Sequence, residues 1–238
     1  MTQEILQVSP LPPSMMNALQ EADYIVHDHT HIKDPGALSK VTAIVGTGAA
    51  KVDKKLLTML PNLKLIAICG VGYDGVDVDA AKDRGIMVTH TPGVLTEDVA
   101  DLAMGLVLSI GRRLPQADKF VRNGDWVDDS FPLTHKVSGA RLGVVGMGRI
   151  GQAIAKRAAA FDMSIAYTGR EAKLGVPYAL YNTVVELAAQ VDYLVVAVPG
   201  GDATHNLIDS AVLNALGSKG YLINIARGSV VDQPTLVQ

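Results

Sequence analysis

Three glycines stand in the spacing G-x-G-x-x-G at Gly146, Gly148 and Gly151. Ahead of them, residues 142–145 (LGVV) are short, apolar and β-branched, as in a buried strand. Behind them, residues 152–161 (QAIAKRAAAF) are rich in helix formers, with apolar positions at Ile154, Ala155, Ala158 and Phe161. Strand, glycine turn and helix in that order suit a dinucleotide. Gly146 would turn the chain off the strand, Gly148 would let a pyrophosphate approach the backbone, and Gly151 would let the helix pack close to the strand. The unpaired N–H groups and positive dipole end of the helix would face the phosphates. A plain strand-to-helix turn is the competing reading, because glycine turns are common.

A second chemistry-bearing residue is Arg227. It follows the strand-like run 221–225 (YLINI), so it stands at a carboxyl end, where open α/β sheets bind ligands. A guanidinium there can hold a carboxylate and stabilise negative charge growing on a carbonyl oxygen. Taken alone, an arginine after a strand is more often a surface charge. Gly70-Val71-Gly72 follows the run 63–69 (LKLIAIC) and leaves main-chain N–H groups accessible. Such a nest suits a carboxylate, and a plain turn is the alternative. Thr168-Gly169-Arg170 follows the run 164–167. NAD-preferring sites place a carboxylate there for the ribose 2′-OH; here Arg170 can pair with a 2′-phosphate instead. Glu171 works against that preference, and stacking of Arg170 on adenine would give little discrimination.

The remaining candidates are weaker. His27, His29 and His31 alternate without a second ligand cluster, and His90, His135 and His205 lie apart, so no metal site is expected. Tyr73, Tyr167, Tyr178, Tyr181 and Tyr193 are followed four residues on by Asp77, Glu171, Asn182, Val185 and Ala197. None gives the Tyr–Lys pair of the short-chain dehydrogenases.

The elements that must position these residues alternate between strand-like and helical stretches. Strands are expected at 5–8, 24–27, 43–45, 63–69 and 86–89, and helices at 14–22 (capped by Ser14), 53–60 and 78–84. Such alternation predicts a parallel sheet covered on both faces. Pro92-Gly93 interrupts it. Residues 97–112 then read as a long helix, apolar around most of its circumference, with Val99, Leu102, Ala103, Leu106, Val107 and Ile110 among its residues. It must be buried, by a second copy of the chain or by its own domains, and a homodimer interface is the preferred reading. A short helix and turn are expected at 120–126. A second α/β unit begins at Arg141, with strands at 164–167, 193–198 (stopped by Pro199) and 221–225, and helices at 184–189, 210–216 and from 232 onward. The predicted domains are 1–97 and 98–238.

Composition sets the outer bounds. The 238 residues are 48% hydrophobic and 19% charged, ample for two cores. A net charge of −3 gives no basic footprint for nucleic acid. No apolar run approaches a membrane span, residues 1–10 show no secretory signal, and the lone Cys69 permits no internal disulfide. A cytoplasmic protein is expected, without nucleic-acid or membrane partners.

GVGYDGVD at 70–77, TPG…TEDVADLAMGLVL at 91–108, GMGRIG at 146–151 and NIARGSVVD at 224–232 together resemble the D-isomer-specific 2-hydroxyacid dehydrogenases. The nearest branch resembles the glyoxylate/hydroxypyruvate and hydroxyphenylpyruvate reductases. The resemblance implies a flavodoxin-like substrate domain, a Rossmann cofactor domain, a homodimer, and reduction of a small 2-keto acid to the D-2-hydroxy acid. It makes Arg227 the catalytic arginine and gives the substrate carboxylate to the backbone of Val71 and Gly72. It places the cofactor against Thr96, Gly146, Met147, Gly148, Arg149, Ile150, Gly151, Gly169, Arg170, Val198, Pro199, Ile225 and Ala226. For Thr96 the competing reading is an N-cap of the helix from residue 97, and the two roles are compatible. NADPH is the expected cofactor, with NAD as the alternative. The resemblance also implies that further family elements, including an acid–base histidine, follow the arginine motif. The Rossmann domain is therefore expected to be incomplete, and these 238 residues alone to bind dinucleotide without turning over keto acids. The rival expectation is a non-catalytic dinucleotide-binding fragment or an NAD(P)-sensing protein.

Overall fold

The computed structural model describes residues 3–30 and 34–237. The chain divides into two compact units, Met1–Leu95 and Thr96–Gln238. The first unit runs β1 (Glu4–Gln7), α1 (Pro13–Glu21), β2 (Ile25–Asp28), α2 (Pro35–Leu38), β3 (Val41–Thr47), α3 (Lys54–Thr58), β4 (Leu65–Cys69), α4 (Val78–Asp83) and β5 (Met87–Thr89). Its five strands are parallel, in the order β2-β1-β3-β4-β5, the flavodoxin-like arrangement. Leu6, Ile44 and Ile66 on neighbouring strands are fully buried with Leu57 and Leu60. Each such side chain contributes roughly 1.5–3 kcal/mol.

Local signals set the helix ends. The Asp53 carboxylate accepts from the Leu56 N–H and caps α3, and Asp77 does the same for α4 through the Ala80 N–H. Arg84 donates to the carbonyls of Leu57 and Leu60, satisfying the far end of α3. Ser14 is not the cap expected for α1. That helix starts at Pro13, whose fixed φ presets the first turn, and Ser14 lies inside it.

In this strand order the sheet's natural ligand crevice lies between the carboxyl ends of β1 and β3. Side chains of the unit itself fill it here. Ser9, just past β1, is buried, and its Oγ accepts from the Thr47 N–H at 2.7 Å and lies 3.1 Å from Thr47 Oγ1. Behind it, a Cβ at Gly46 would press on Ala50 and Val8 at 2.9 and 3.0 Å.

The second unit contains α5 (Thr96–Gly111), α6 (Leu114–Arg122), β6 (Arg141–Val145), α7 (Arg149–Ala159), β7 (Ser164–Thr168), β8 (Ala179–Tyr181), α8 (Val184–Ala188), β9 (Tyr193–Val196), α9 (Ser210–Leu216), β10 (Tyr221–Asn224) and α10 (Gln233–Leu236). The parallel order β10-β9-β6-β7-β8 is a Rossmann half-sheet with two further strands. Strand β8 has no counterpart among the predicted strands. The helix expected at 120–126 instead begins at Leu114 and ends in a separate 3₁₀ turn, Asp125–Val127. Pro115 favours that earlier start, because its missing N–H costs nothing in a first turn.

Helix α5 splits between the two readings of its apolar surface. Ala100, Ala103, Met104 and Val107 are buried in one core with Ile154 and Ala158 of α7 and with Tyr193 of β9. Gly111 lets Tyr193 come close, since a Cβ there would strike the Tyr193 hydroxyl. The opposite face leaves Leu102, Leu106 and Ile110 exposed. Arg157 of α7 bonds both Glu97 and Asp101 of α5. At the amino edge of the sheet, Arg141 holds Asp192 by Nη2–Oδ1 and Nε–Oδ2 hydrogen bonds of 2.6 and 3.2 Å, and its main-chain N–H adds a third at 2.8 Å. The side-chain hydrogen bond from Arg141 keeps the Asp192 carboxyl below its ordinary range, against the opposing effect of burial.

Candidate functional site

In the second unit the strand order reverses between β6 and β9, and the ends of these two strands form the crevice of this sheet. The glycine turn stands there. Gly146 has φ +100°, and a Cβ on it would lie 2.9 Å from both the Ala197 oxygen and Val198 Cγ1. A Cβ on Gly151 would run into the Gly146 carbonyl, so α7 can pack this closely only on glycine. Gly148 precedes α7 and carries no side-chain cap, and a Cβ on it would meet nothing within 4 Å. The first α7 residues, Arg149, Ile150 and Gly151, thus begin a helix whose N-terminus is left open. These features fit a dinucleotide pyrophosphate: two glycines are needed to build the cradle, and the third keeps its mouth clear.

The surrounding positions follow from the same strand ends. Met147 is buried, Ile150 is half-buried against the core, and Arg149 is exposed. Thr168 is the last residue of β7, and its carbonyl accepts from the Gly146 N–H at 3.0 Å. Gly169 and Arg170 follow, both exposed. Glu171 pairs with Lys173 at 3.3 Å, while the Lys173 N–H donates to the buried Tyr167 hydroxyl at 2.9 Å. Val198 and Pro199 lie just beyond β9. Thr96 is the first residue of α5, inside the helix rather than the cap preceding it. It lines a cleft of about 360 Å³ with Glu97, Arg149, Gln152 and Lys156.

Beyond β10, the Ile225 N–H donates to the Val196 carbonyl at 3.2 Å. Asn224 then braces the turn at both ends of its amide. Its Oδ1 accepts from the Ala226 N–H at 2.9 Å and its Nδ2 donates to the Arg227 carbonyl at 2.8 Å. Arg227 is half-buried, and its Nη1 donates to the Ala226 carbonyl at 3.1 Å. The sequence reading passed over Asn224; an Asn closing a strand ahead of a turn is the signal that could have found it.

In the first unit, Gly70 takes φ +151° after β4, followed by the half-buried Val71 and Gly72. The Gly70 N–H donates to Thr91 Oγ1 at 3.0 Å, and the Thr91 N–H donates back to the Gly70 carbonyl at 2.9 Å. His90 Nδ1 lies 3.0 Å from the Val71 carbonyl. Sequence reading gave His90 and Thr91 no role at this loop. Their partners lie about twenty residues away, and no local pattern records that.

The sequence profile of the D-isomer specific 2-hydroxyacid dehydrogenase NAD binding domain matches residues 104–238. Glyoxylate/hydroxypyruvate reductase A of Arabidopsis thaliana is 43% identical over 238 residues, 98% of this chain and 76% of the relative. The chain belongs to the D-isomer-specific 2-hydroxyacid dehydrogenase family. Hydroxyphenylpyruvate reductase of Plectranthus scutellarioides is 48% identical over 83% of the chain and 63% of its own length. Among solved members of the family, the NADPH-dependent glyoxylate/hydroxypyruvate reductase of Sinorhizobium meliloti, in complex with NADP and malonate, superposes with a TM-score of 0.90 at 42% identity. That match covers all of this chain and 75% of the solved one. The chain thus spans about three-quarters of the length of the Arabidopsis and Sinorhizobium members.

The histidines are spread over the fold. His27 bonds Glu4 at 2.8 Å, His29 faces Asp28 at 3.7 Å, and His135 meets the Tyr221 ring edge-on. His31 lies outside the described residues. Among the described residues, no three His, Cys, Asp or Glu side chains converge as a metal site would require, and no helix is long and apolar enough to cross a membrane.

Proposed function

We propose that this protein is an NADPH-dependent reductase of small 2-keto acids, such as glyoxylate or hydroxypyruvate, and yields the D-2-hydroxy acid. The observation that carries the reading is the pair of loops at the β6, β9 and β10 carboxyl ends. One is an open glycine cradle, and the other is a braced turn bearing Arg227. The names of the Arabidopsis and Sinorhizobium relatives support the same substrate class.

In this reading the first unit serves the substrate and the second, from Thr96 on, the cofactor. Gly146 to Gly151 hold the pyrophosphate on the open end of α7. NADPH, when bound, supplies the hydride. Arg227 holds the substrate and polarises its keto oxygen, where negative charge develops. The Val71 and Gly72 N–H groups take the carboxylate. Arg170 faces the 2′-phosphate, and the Glu171–Lys173 pair supports that choice by partly neutralising the neighbouring Glu171 carboxylate. The exposed Leu102, Leu106 and Ile110 stripe of α5 supports a homodimer. A cytoplasmic setting suits a chain with a single cysteine.

The test is a panel of 2-keto acids assayed with NADPH and NADH on the full-length protein. Faster oxidation of NADPH with glyoxylate or hydroxypyruvate than with longer or branched keto acids is the expected result. Dinucleotide binding with no turnover across the panel would defeat the reading and leave a nucleotide-sensing protein.

A further inference from the structure

The loop after β4 carries two main-chain N–H groups, at Val71 and Gly72, that donate to no other described residue. What orients them is on their far sides. In a trans peptide a carbonyl and the N–H of the next residue point in opposite directions, and no described peptide is cis. The Gly70 carbonyl shares its peptide with the Val71 N–H, and it is held by the Thr91 N–H at 2.9 Å. The Val71 carbonyl shares its peptide with the Gly72 N–H, and it is held by His90 Nδ1 at 3.0 Å. The chain just past β5 therefore grips both peptides from behind, and both N–H groups face away from it. A carbonyl can only accept, so Nδ1 carries the proton of this hydrogen bond. Tyr73 packs edge-on against the imidazole with ring centroids 4.8 Å apart, which keeps the ring in this rotamer.

The geometry points to His90 as a positioning residue for carboxylate recognition: its Nδ1–H fixes the Val71–Gly72 peptide so that the Gly72 N–H is presented to the substrate. Thr91 serves the Val71 N–H in the same way. The inference rests on the reading above, in which this nest receives the substrate carboxylate. Thr91 acts through its own main chain, which substitution leaves in place. His90 acts through its side chain, so it can be tested. Without His90 the Val71 carbonyl loses a partner, and the peptide is free to rotate and carry the Gly72 N–H out of line.

The experiment uses the full-length protein saturated with NADPH, with oxalate as the carboxylate probe, read by calorimetry, and glyoxylate for kinetics. His90→Ala is expected to weaken oxalate about tenfold, the scale of one hydrogen bond. The glyoxylate KM should rise to match, while kcat and NADPH affinity hold. His90→Asn places an amide N–H near the former Nδ1 and should restore most of the loss, whereas His90→Leu, of similar size, should not. That Asn/Leu contrast keeps the test open if the alanine variant fails to fold. Gly72→Pro deletes the presented N–H and should abolish oxalate binding with NADPH affinity intact. Unchanged oxalate affinity in Gly72→Pro would overturn the nest, and the role of His90 with it. Lost affinity in Gly72→Pro with unchanged affinity in His90→Ala and His90→Leu would overturn the role of His90 alone.

Discussion

Arg227 shows how much a single side chain depends on its loop. The residue follows β10, and the Asn224 amide ties the two residues before and at the arginine into one turn. A charge held this way need not reorganise as negative charge grows on a keto oxygen. Arg227→Ala is expected to lower kcat/KM of the full-length protein by roughly 10²-fold or more. Arg227→Lys should recover only part of that, since a point charge lacks the two-pronged geometry. Steady-state kinetics decides the point, and near-wild-type turnover in the alanine variant would remove the arginine from the chemistry. Arg170 makes a different claim, on selectivity. Arg170→Ala should shrink the ratio of kcat/KM for NADPH over NADH, chiefly through the NADPH KM. An unchanged ratio would mean that Arg170 only stacks on the base.

At the scale of elements, strands and helices were legible wherever a periodic pattern was long enough to stand out. The runs at β4, β6 and β9 are nearly all apolar, because parallel strands are buried on both faces. Strand β8 (ALY) escaped because, unlike the equally short edge strand β5 (MVT), it carries no β-branched residue to mark it. The glycine cradle and Arg227 could be read because their chemistry lies in local order: strand, turn, helix. His90 and Thr91 could not, because their work consists of hydrogen bonds to main chain brought near by the fold, whereas Asn224 bonds only within its own turn, where an Asn at a strand end is a local signal. The Arg141–Asp192 pair is a further long-range contact of this kind, joining the start of β6 to the residue before β9. Asp192 titrates below its ordinary value in the folded chain, so it stabilises the fold above the unfolded value near 4 and loses that contribution as pH falls through the lower folded value. The stability gap between wild type and Asp192→Asn, measured by urea unfolding, should be constant above about pH 4 and close on further acidification. A gap independent of pH would show that the carboxylate charge is immaterial.

At the scale of the molecule, helix α5 serves one unit with one face and leaves the other bare. Leu102, Leu106 and Ile110 recur at fourth positions, so they form a stripe along the helix. Leu106→Asp should turn a dimer into a monomer, as read by light scattering, while leaving the core-facing Ala103 and Val107 undisturbed. A wild-type protein that is already monomeric would refute the interface.

Both units are parallel α/β sheets, and each topology offers one crevice where its strand order reverses. The two crevices differ in what fills them. Between β6 and β9 glycines leave a gap, whereas between β1 and β3 the Ser9 hydroxyl and Thr47 occupy the space and satisfy one another. The crevice between β1 and β3 is therefore closed by its own side chains, and the one between β6 and β9 is open. Titration should end at a single equivalent of dinucleotide per polypeptide, with no weaker second phase even at high concentration. The seryl and threonyl side chains thus do for the first unit what no sequence motif announces: they close the crevice its topology would otherwise offer.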